Sequence, residues 1–418
     1  GPSESPLTLV DVESSGNCGW GSRILSNPLV VHGILRTSNN GTGEGCEAGG
    51  LLVQGAITDA SDGFVETRGN DVPGLVAHDD ISISLLGFES SDNKGPGIQT
   101  LFGSITVNRP NGGSSSLTVG GNEGPGMLAG LDLAFDVSSD DDPGDQPLVQ
   151  NIVVMGMPIN VENNGSWGIL TSGEGDVFLN VDPETNLPMS SAEINVSGNG
   201  DPDKVCRIYT EDGALDLPQD DCGGGGIGVV SGKLYADAVS VSGNLGPGIA
   251  AAGDISLGIL SAKGNQGPGV QSIFGSITIE PVNDESASPD PELFPYIKVE
   301  ESQGPGLLAG SGSNFAAEGD ADPDEDTPPQ NITIKGNIWS RRNGSSGILS
   351  TGHGDVFINM DPVSKNSLSP GVREISGNGQ AIGCFFIDGE GDLITPIDEC
   401  RSRGIGAAAG NIHGPDWR

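Results

Sequence analysis

Aromatic residues make up 4% of this 418-residue chain, Lys and Arg together number 18, and His occurs four times. With 34% hydrophobic residues there is too little apolar material for one large globular core. No apolar run reaches the roughly 18 residues of a membrane helix, so no transmembrane segment is expected. The basic residues face 57 acidic ones, for a formal net charge of −39. Such a surface repels nucleic acid and anionic membranes, which are bound by Lys and Arg set against phosphate. None of the six Cys lies in a C-x-x-C pair, which argues against zinc and redox chemistry. His32, His78, His353 and His413 are dispersed, and no Ser/His/Asp or Cys/His set can be assembled.

Glycine (69 residues) and proline (28) are plentiful, and short Ile/Val/Leu clusters recur to the end of the chain. That is the pattern of many short strands joined by tight turns. The first three residues, Gly-Pro-Ser, match the scar left by a tag-removing protease, so residues 1–5 are set aside as scar and leader.

Internal repetition decides the architecture. GPGIQTLFGSITV at residues 95–107 returns as GPGVQSIFGSITI at 267–279, and WGILTSGEGDVFLNVDP at 167–183 returns as SGILSTGHGDVFINMDP at 346–362. Residues 50–225 and 226–403 form two copies, preceded by N-terminal coils at 6–49 and followed at 404–418 by the start of a further coil. A finer period is anchored on a residue, usually Gly, just before an aliphatic one. The anchors are Gly50, Gly74, Gly97, Gly126, Gly168, Val205 and Gly226, then Gly248, Gly269, Gly306, Gly347, Gly383 and Gly404, with Gly21 before them. The shortest spacings, 21 to 24 residues, suit one coil of three short strands, and a coil buries its apolar face only by stacking on the next. The fold expected is therefore all-β, a right-handed parallel β-helix of about 14 coils with loop insertions.

Four residues before the anchor there is usually Asn: Asn17, Asn70, Asn93, Asn122, Asn164, Asn244, Asn265 and Asn343. Stacked coil on coil, these predict an internal amide ladder. Gly-Pro-Gly is expected to supply the positive φ and the fixed φ of the bend. In three coils the ladder slot holds Cys46, Cys222 or Cys400. Their expected disulfide partners are Cys18, Cys206 and Cys384, which implies an oxidising, extracellular compartment. The Asn-x-Gly-Pro-Gly-aliphatic coils resemble the right-handed parallel β-helix superfamily. They loosely resemble the repeats of polymorphic outer-membrane and autotransporter passenger proteins, which implies a secreted or surface-displayed stalk or adhesin.

Wide spacings place three insertions per copy, after strands at 105–107, 132–135 and 177–179 and their counterparts, and one preceding strand type would bring them out on one side. Two are acidic. Asp140, Asp141, Asp142 and Asp145 in one, and Asp320, Asp322, Asp324 and Asp326 in the other, form a candidate calcium site, beside the plainer alternative of a solvated loop. Gly352-His353-Gly354-Asp355 resembles the Gly-His-Gly signature of β-helical polygalacturonases. The matching Glu174 in copy one argues against shared chemistry. Asp79-Asp80 and Arg341-Arg342 are the other candidates for acid, base or uronate contacts. Trp20, Trp167, Trp339 and Trp417 are candidates for stacking on sugars, with Trp167 better placed for packing. Five sequons, at Asn40, Asn164, Asn195, Asn331 and Asn343, fit N-glycosylation, although Asn164 and Asn343 also belong to the ladder.

The function expected is a structural, adhesive or ligand-binding segment, for a glycan or protein ligand, of a secreted or cell-surface protein. Further repeats or an anchoring domain are expected in the parent protein. An active site occurs once, whereas binding and spacing benefit from repetition, so the two copies favour this over a polysaccharide lyase, epimerase or hydrolase.

Overall fold

The structure, a computed structural model, describes residues 7–24, 29–41, 49–53, 57–59, 63–71, 73–84, 87–109, 116–131, 149–189, 192–201, 208–209, 215–216, 224–281, 297–310, 329–351, 354–367, 373–376, 378, 386–387, 393–394, 404–407 and 411–414. The chain divides into two compact units: residues 1–134 with 141–224 (unit 1), and 225–418 with 135–140 (unit 2). Each is a parallel β-helix, and all regular structure among the described residues is strand.

One coil runs through three strands. In unit 1, Leu75–Ala77, Ile81–Ser84 and Gly87–Ser91 make a coil, and Ile98–Thr100, Ile105–Asn108 and Leu117–Gly120 make the next. Each pairs in parallel with its counterpart: Ile98 on Leu75, Ile105 on Ile81, Leu117 on Phe88. Like residues therefore stack into columns. Leu51, Leu75, Ile98, Met127 and Ile169 form one in unit 1; Ile227, Ile249, Val270, Leu307, Ile348 and Ile405 form its equivalent in unit 2. Apart from the last, these side chains are essentially fully buried, each contributing about 1.5–3 kcal/mol. A core made of columns needs no aromatic centre, so a chain with 4% aromatics can build it.

Each unit has six first strands among the described residues, from Ser22–Ile24 to Ile169–Thr171 and from Ile227–Val229 to Ile405–Ala407. The count is twelve where fourteen coils were expected. Val205 and Gly383 lie outside the described residues. Beside them are two-residue strands that pair antiparallel: Ile208–Tyr209 with Leu215–Asp216, and Phe386–Ile387 with Leu393–Ile394. In unit 2, Ile348 pairs directly with Ile405, which leaves no place for a coil at Gly383. Neither anchor is a Gly followed by an aliphatic residue: Val205 precedes Cys206, and Gly383 precedes Cys384.

The amide ladder is present and longer than expected. In unit 1 each Asn Nδ2 donates to the Oδ1 of the next, through Asn17, Asn40, Asn70, Asn93, Asn122, Asn164 and Asn199, at 2.9–3.1 Å. The second Nδ2 hydrogen goes to a backbone carbonyl, as from Asn122 to Ser90 O, and Oδ1 also accepts the previous Asn N–H. Every amide is thus fully used, which is what makes a buried polar column tolerable. In unit 2 the bonded pairs are Asn244 with Asn265 and Asn343 with Asn378, and Ser302 stands between them.

Two expectations about this turn are corrected. The slots assigned to Cys46, Cys222 and Cys400 belong to Asn40, Asn199 and Asn378, because the Cys segments are insertions between ladder Asn and anchor Gly. The anchor glycines do not supply the positive φ. That falls on the residue before the Asn: Gly16, Gly69, Gly121, Gly198, Gly243 and Gly264, and Asn39, Asp92, Asn163, Glu301 and Arg342. The anchors are Gly for closeness: a Cβ on Gly126 would lie 2.5 Å from Gly168 O and 2.9 Å from Asn164 Nδ2.

Candidate functional site

The three strands leave different outer faces. The middle residue of each first strand points away from the core, yet Leu52, Val76, Leu128 and Leu170 in unit 1 and Leu308 and Leu349 in unit 2 are buried. That face is covered. The third-strand face is more open. In unit 2 its outward residues form two columns: Ser240, Ser261, Lys298, Trp339 and Glu374, and beside it Ser242, Lys263, Glu300, Arg341 and Ser376.

Trp339 is the aromatic member, half-buried, with the Arg341 guanidinium 4.5 Å over its ring. Arg341 is also ion-paired with Glu374, Lys298 with Glu300 at 3.2 Å, Arg342 with Glu301 at 2.5 Å, and Lys263 with Glu301 at 3.7 Å. The patch is a lattice of four cations and three carboxylates around one ring, and most of these pairs are too exposed to stabilise the fold much. It can offer an aromatic face and both signs of charge to a ligand lying along the coils. In unit 1 the column that corresponds to that of Trp339 holds Arg36, Glu66, Glu89, Thr118, Asn160 and Asn195, with Arg36 paired to Glu66 at 2.8 Å, and the other holds Ser38, Arg68, Ser91, Gly120, Glu162 and Ser197; neither has an aromatic residue.

Asp355, from the Gly-His-Gly-Asp segment, lies 3.0 Å from His413 Nε2, and the His413 ring stacks on Phe357. Its other oxygen accepts the Asn411 N–H at 2.7 Å. Burial pushes this carboxyl up, but the bonds from Asn411 and His413 outweigh it and hold it below the usual carboxylate range. The bond to Asn411 belongs to a second ladder. The residue before each second strand uses a side-chain oxygen to accept the N–H one coil on: Asp80 from Ser104, Ser104 from Asn151 and Asn151 from Asp176 in unit 1. In unit 2 the series is Asp254 to Ser276, Asn331, Asp355 and Asn411. Sequence reasoning missed it, although a small polar residue before Ile or Val in successive coils was there to be read. Asp355 and Asp80 are thereby structural residues first.

Of the other candidates, Cys18 is disulfide-bonded. Cys46, Cys206, Cys222, Cys384 and Cys400 lie outside the described residues. So do His353, Trp417 and the acidic insertions with Asp140, Asp141, Asp142, Asp145, Asp320, Asp322, Asp324 and Asp326. Among the described residues no group of three or more His, Cys, Asp or Glu is placed to hold a metal ion. Trp167 is in the core at 2% exposure, as its packing reading requires. Asn40, Asn164 and Asn343 are ladder residues with no exposed surface, and Asn331 belongs to the second ladder. Asn195 alone of the five sequons sits on an outer column. The insertions do not share one preceding strand: those after Ile105–Asn108 and Val177–Leu179 follow second strands, and that after Met127–Ala129 follows a first strand.

Among the described residues no helix is long and apolar enough to cross a membrane. No family model, curated protein or solved structure matches the chain.

Proposed function

We propose that this chain is a ligand-binding segment of a secreted or cell-surface β-solenoid, acting as an adhesin or stalk. Its ligand, a glycan or an extended protein surface, lies along the third-strand face of unit 2. The observation that carries the reading is the Trp339–Arg341 pair set in a column with Lys298 and Glu374. A part-exposed ring with a guanidinium over it, on a sheet with a fixed spacing of about 4.8 Å between strands, is a platform for a repeating ligand. Nothing in the stacking of the coils requires it, since unit 1 builds the same face from Glu, Thr and Asn.

Screening the protein on a glycan panel, with and without calcium, tests the reading. Binding is expected, and Trp339→Ala should reduce it by about tenfold or more with the melting curve unchanged. Binding that is indifferent to Trp339→Ala and Arg341→Ala would place the ligand elsewhere. A polysaccharide-active enzyme would show instead as turnover of a panel member.

A further inference from the structure

The corner between first and second strands is built twice by the same hydrogen bonds. In unit 1, Thr100 Oγ1 donates to Asp79 O at 2.7 Å, Gly103 N donates to Thr100 Oγ1 at 3.1 Å, and Ser104 N donates to Asp80 Oδ1 at 2.8 Å. In unit 2, Ser272 Oγ donates to Gly253 O at 2.9 Å, Gly275 N to Ser272 Oγ at 3.1 Å, and Ser276 N to Asp254 Oδ1 at 2.9 Å. Phe102 N donates to His78 O as Phe274 N donates to Ala252 O. The backbone of the corner is the same; the side chains are not. His78 and Asp79 stand where unit 2 has Ala252 and Gly253. The corner therefore needs neither the imidazole nor the carboxylate.

What those two groups do instead is face outward beside an apolar patch. His78 Nδ1 lies 3.0 Å from Asp79 Oδ1, with the side chains 44% and 60% exposed. The His78 ring is 4.8 Å from that of Phe102, tilted by 57°. Phe102 and Trp20 rest, partly buried, on Leu52, Val76 and Leu101. In the tautomer that donates from Nδ1 to Asp79, Nε2 of His78 is an acceptor. Asp254, the carboxylate that unit 2 keeps at this corner, corresponds to Asp80 and pairs with Lys233 at 2.9 Å; among the described residues Asp79 pairs with the His78 imidazole and with no Lys or Arg.

From this we infer a second binding site in unit 1, at His78, Asp79, Phe102 and Trp20, for a cationic amino sugar. The aromatic edge takes the C–H face of a pyranose ring, and Asp79 and His78 Nε2 accept from its ammonium and hydroxyl groups. The net charge of −39 favours a cationic sugar over a neutral or anionic one before contact is made. This site is independent of the Trp339 face.

The test titrates the full chain with a β-1,4-linked glucosamine oligomer, its fully N-acetylated counterpart and a lysine oligomer, following tryptophan fluorescence and heat. The glucosamine oligomer is expected to bind and the acetylated one to bind at least about tenfold more weakly. The double variant His78→Ala/Asp79→Gly adopts residues that unit 2 already tolerates, so it should keep the melting curve and lose about tenfold or more in affinity. Trp20→Leu should do the same while keeping an apolar side chain on the patch. Equal binding by wild type and double variant would reduce the effect to general attraction between a polyanion and a polycation and overturn the site. So would equal affinity for the acetylated oligomer, tighter binding of the lysine oligomer, or no binding of the glucosamine oligomer.

Discussion

Unit 1 carries its amide ladder without a break from Asn17 to Asn199, and unit 2 carries the same ladder with Ser302 in the middle. Ser302 N still donates to Asn343 Oδ1 at 3.2 Å, but its buried Oγ has no partner. The apolar columns on either side run through that coil unchanged, with Val270 on Leu307 and Leu307 on Ile348. Stacked aliphatic residues thus hold a coil together without the amide, and the ladder adds to a structure that the columns already define. The difference also shows that an open turn is tolerated once the backbone N–H has found an acceptor.

The comparison can be broken most severely in unit 1. Asn122→Leu removes the acceptor for Asn93 N and Nδ2 and the donor to Ser90 O, in mid-ladder. A loss of about 3–5 kcal/mol is expected from denaturant unfolding. Asn265→Leu, next to the gap in unit 2, strands Asn244 N and Nδ2 and Val241 O, but loses no onward bond like that of Asn122 Nδ2 to Asn164 Oδ1. It should cost less, about 1–3 kcal/mol. Equal costs at the two positions would mean that the ladder has no collective strength. Ser302→Asn should run the other way, completing the ladder and stabilising unit 2 by about 1 kcal/mol, with slower hydrogen exchange at residues 265 and 343.

The smallest effect concerns three carboxylates of unit 2, whose signs differ. Asp254 and Asp355 are held below the usual range by their hydrogen bonds, against burial. They stabilise the fold above the ordinary carboxylate value, and that stability is lost as pH falls through their lowered ones. Burial pushes Asp237 up, so it titrates above its value in the unfolded chain and weakens the fold as pH rises through that window. Asp237→Asn should therefore raise the melting temperature slightly at neutral pH and leave it unchanged in acid, whereas Asp355→Asn should flatten the acid limb.

The repeated segments made the coils legible in the sequence, because stacking demands like residues at like positions and repetition writes them out. Eight ladder residues could be read from their distance to the anchor Gly. Asn40, Asn199 and Asn378 could not, since insertions between Asn and Gly destroy that distance while leaving the hydrogen bonds intact. The second ladder was harder to read for another reason: Asp, Ser and Asn serve equally as acceptors, so its signal is a class of small polar residues and no single residue type repeats. The Trp339 face and the His78 corner are departures from the repeat, and a reading built on repetition passes over what one copy has and the other lacks.

Five of the ladder residues, Asn40, Asn164, Asn199, Asn343 and Asn378, are each followed by Gly. In a free peptide that step ages quickly: the glycine nitrogen attacks the side-chain carbonyl, ammonia leaves, and aspartate or isoaspartate results. Here four of those nitrogens are engaged, from Gly41 to Asn17 O, Gly165 to Asn122 O, Gly200 to Asn164 O and Gly344 to Ser302 O, at 2.7–2.9 Å, and Gly379 lies outside the described residues. The amide it would attack is itself pinned in the ladder. A closed coil is thereby protected from deamidation at its most vulnerable sequence, and a coil that opens is not. Isoaspartate at these four steps would mark molecules whose turns had opened, so old samples would carry a chemical record of where the solenoid breathes.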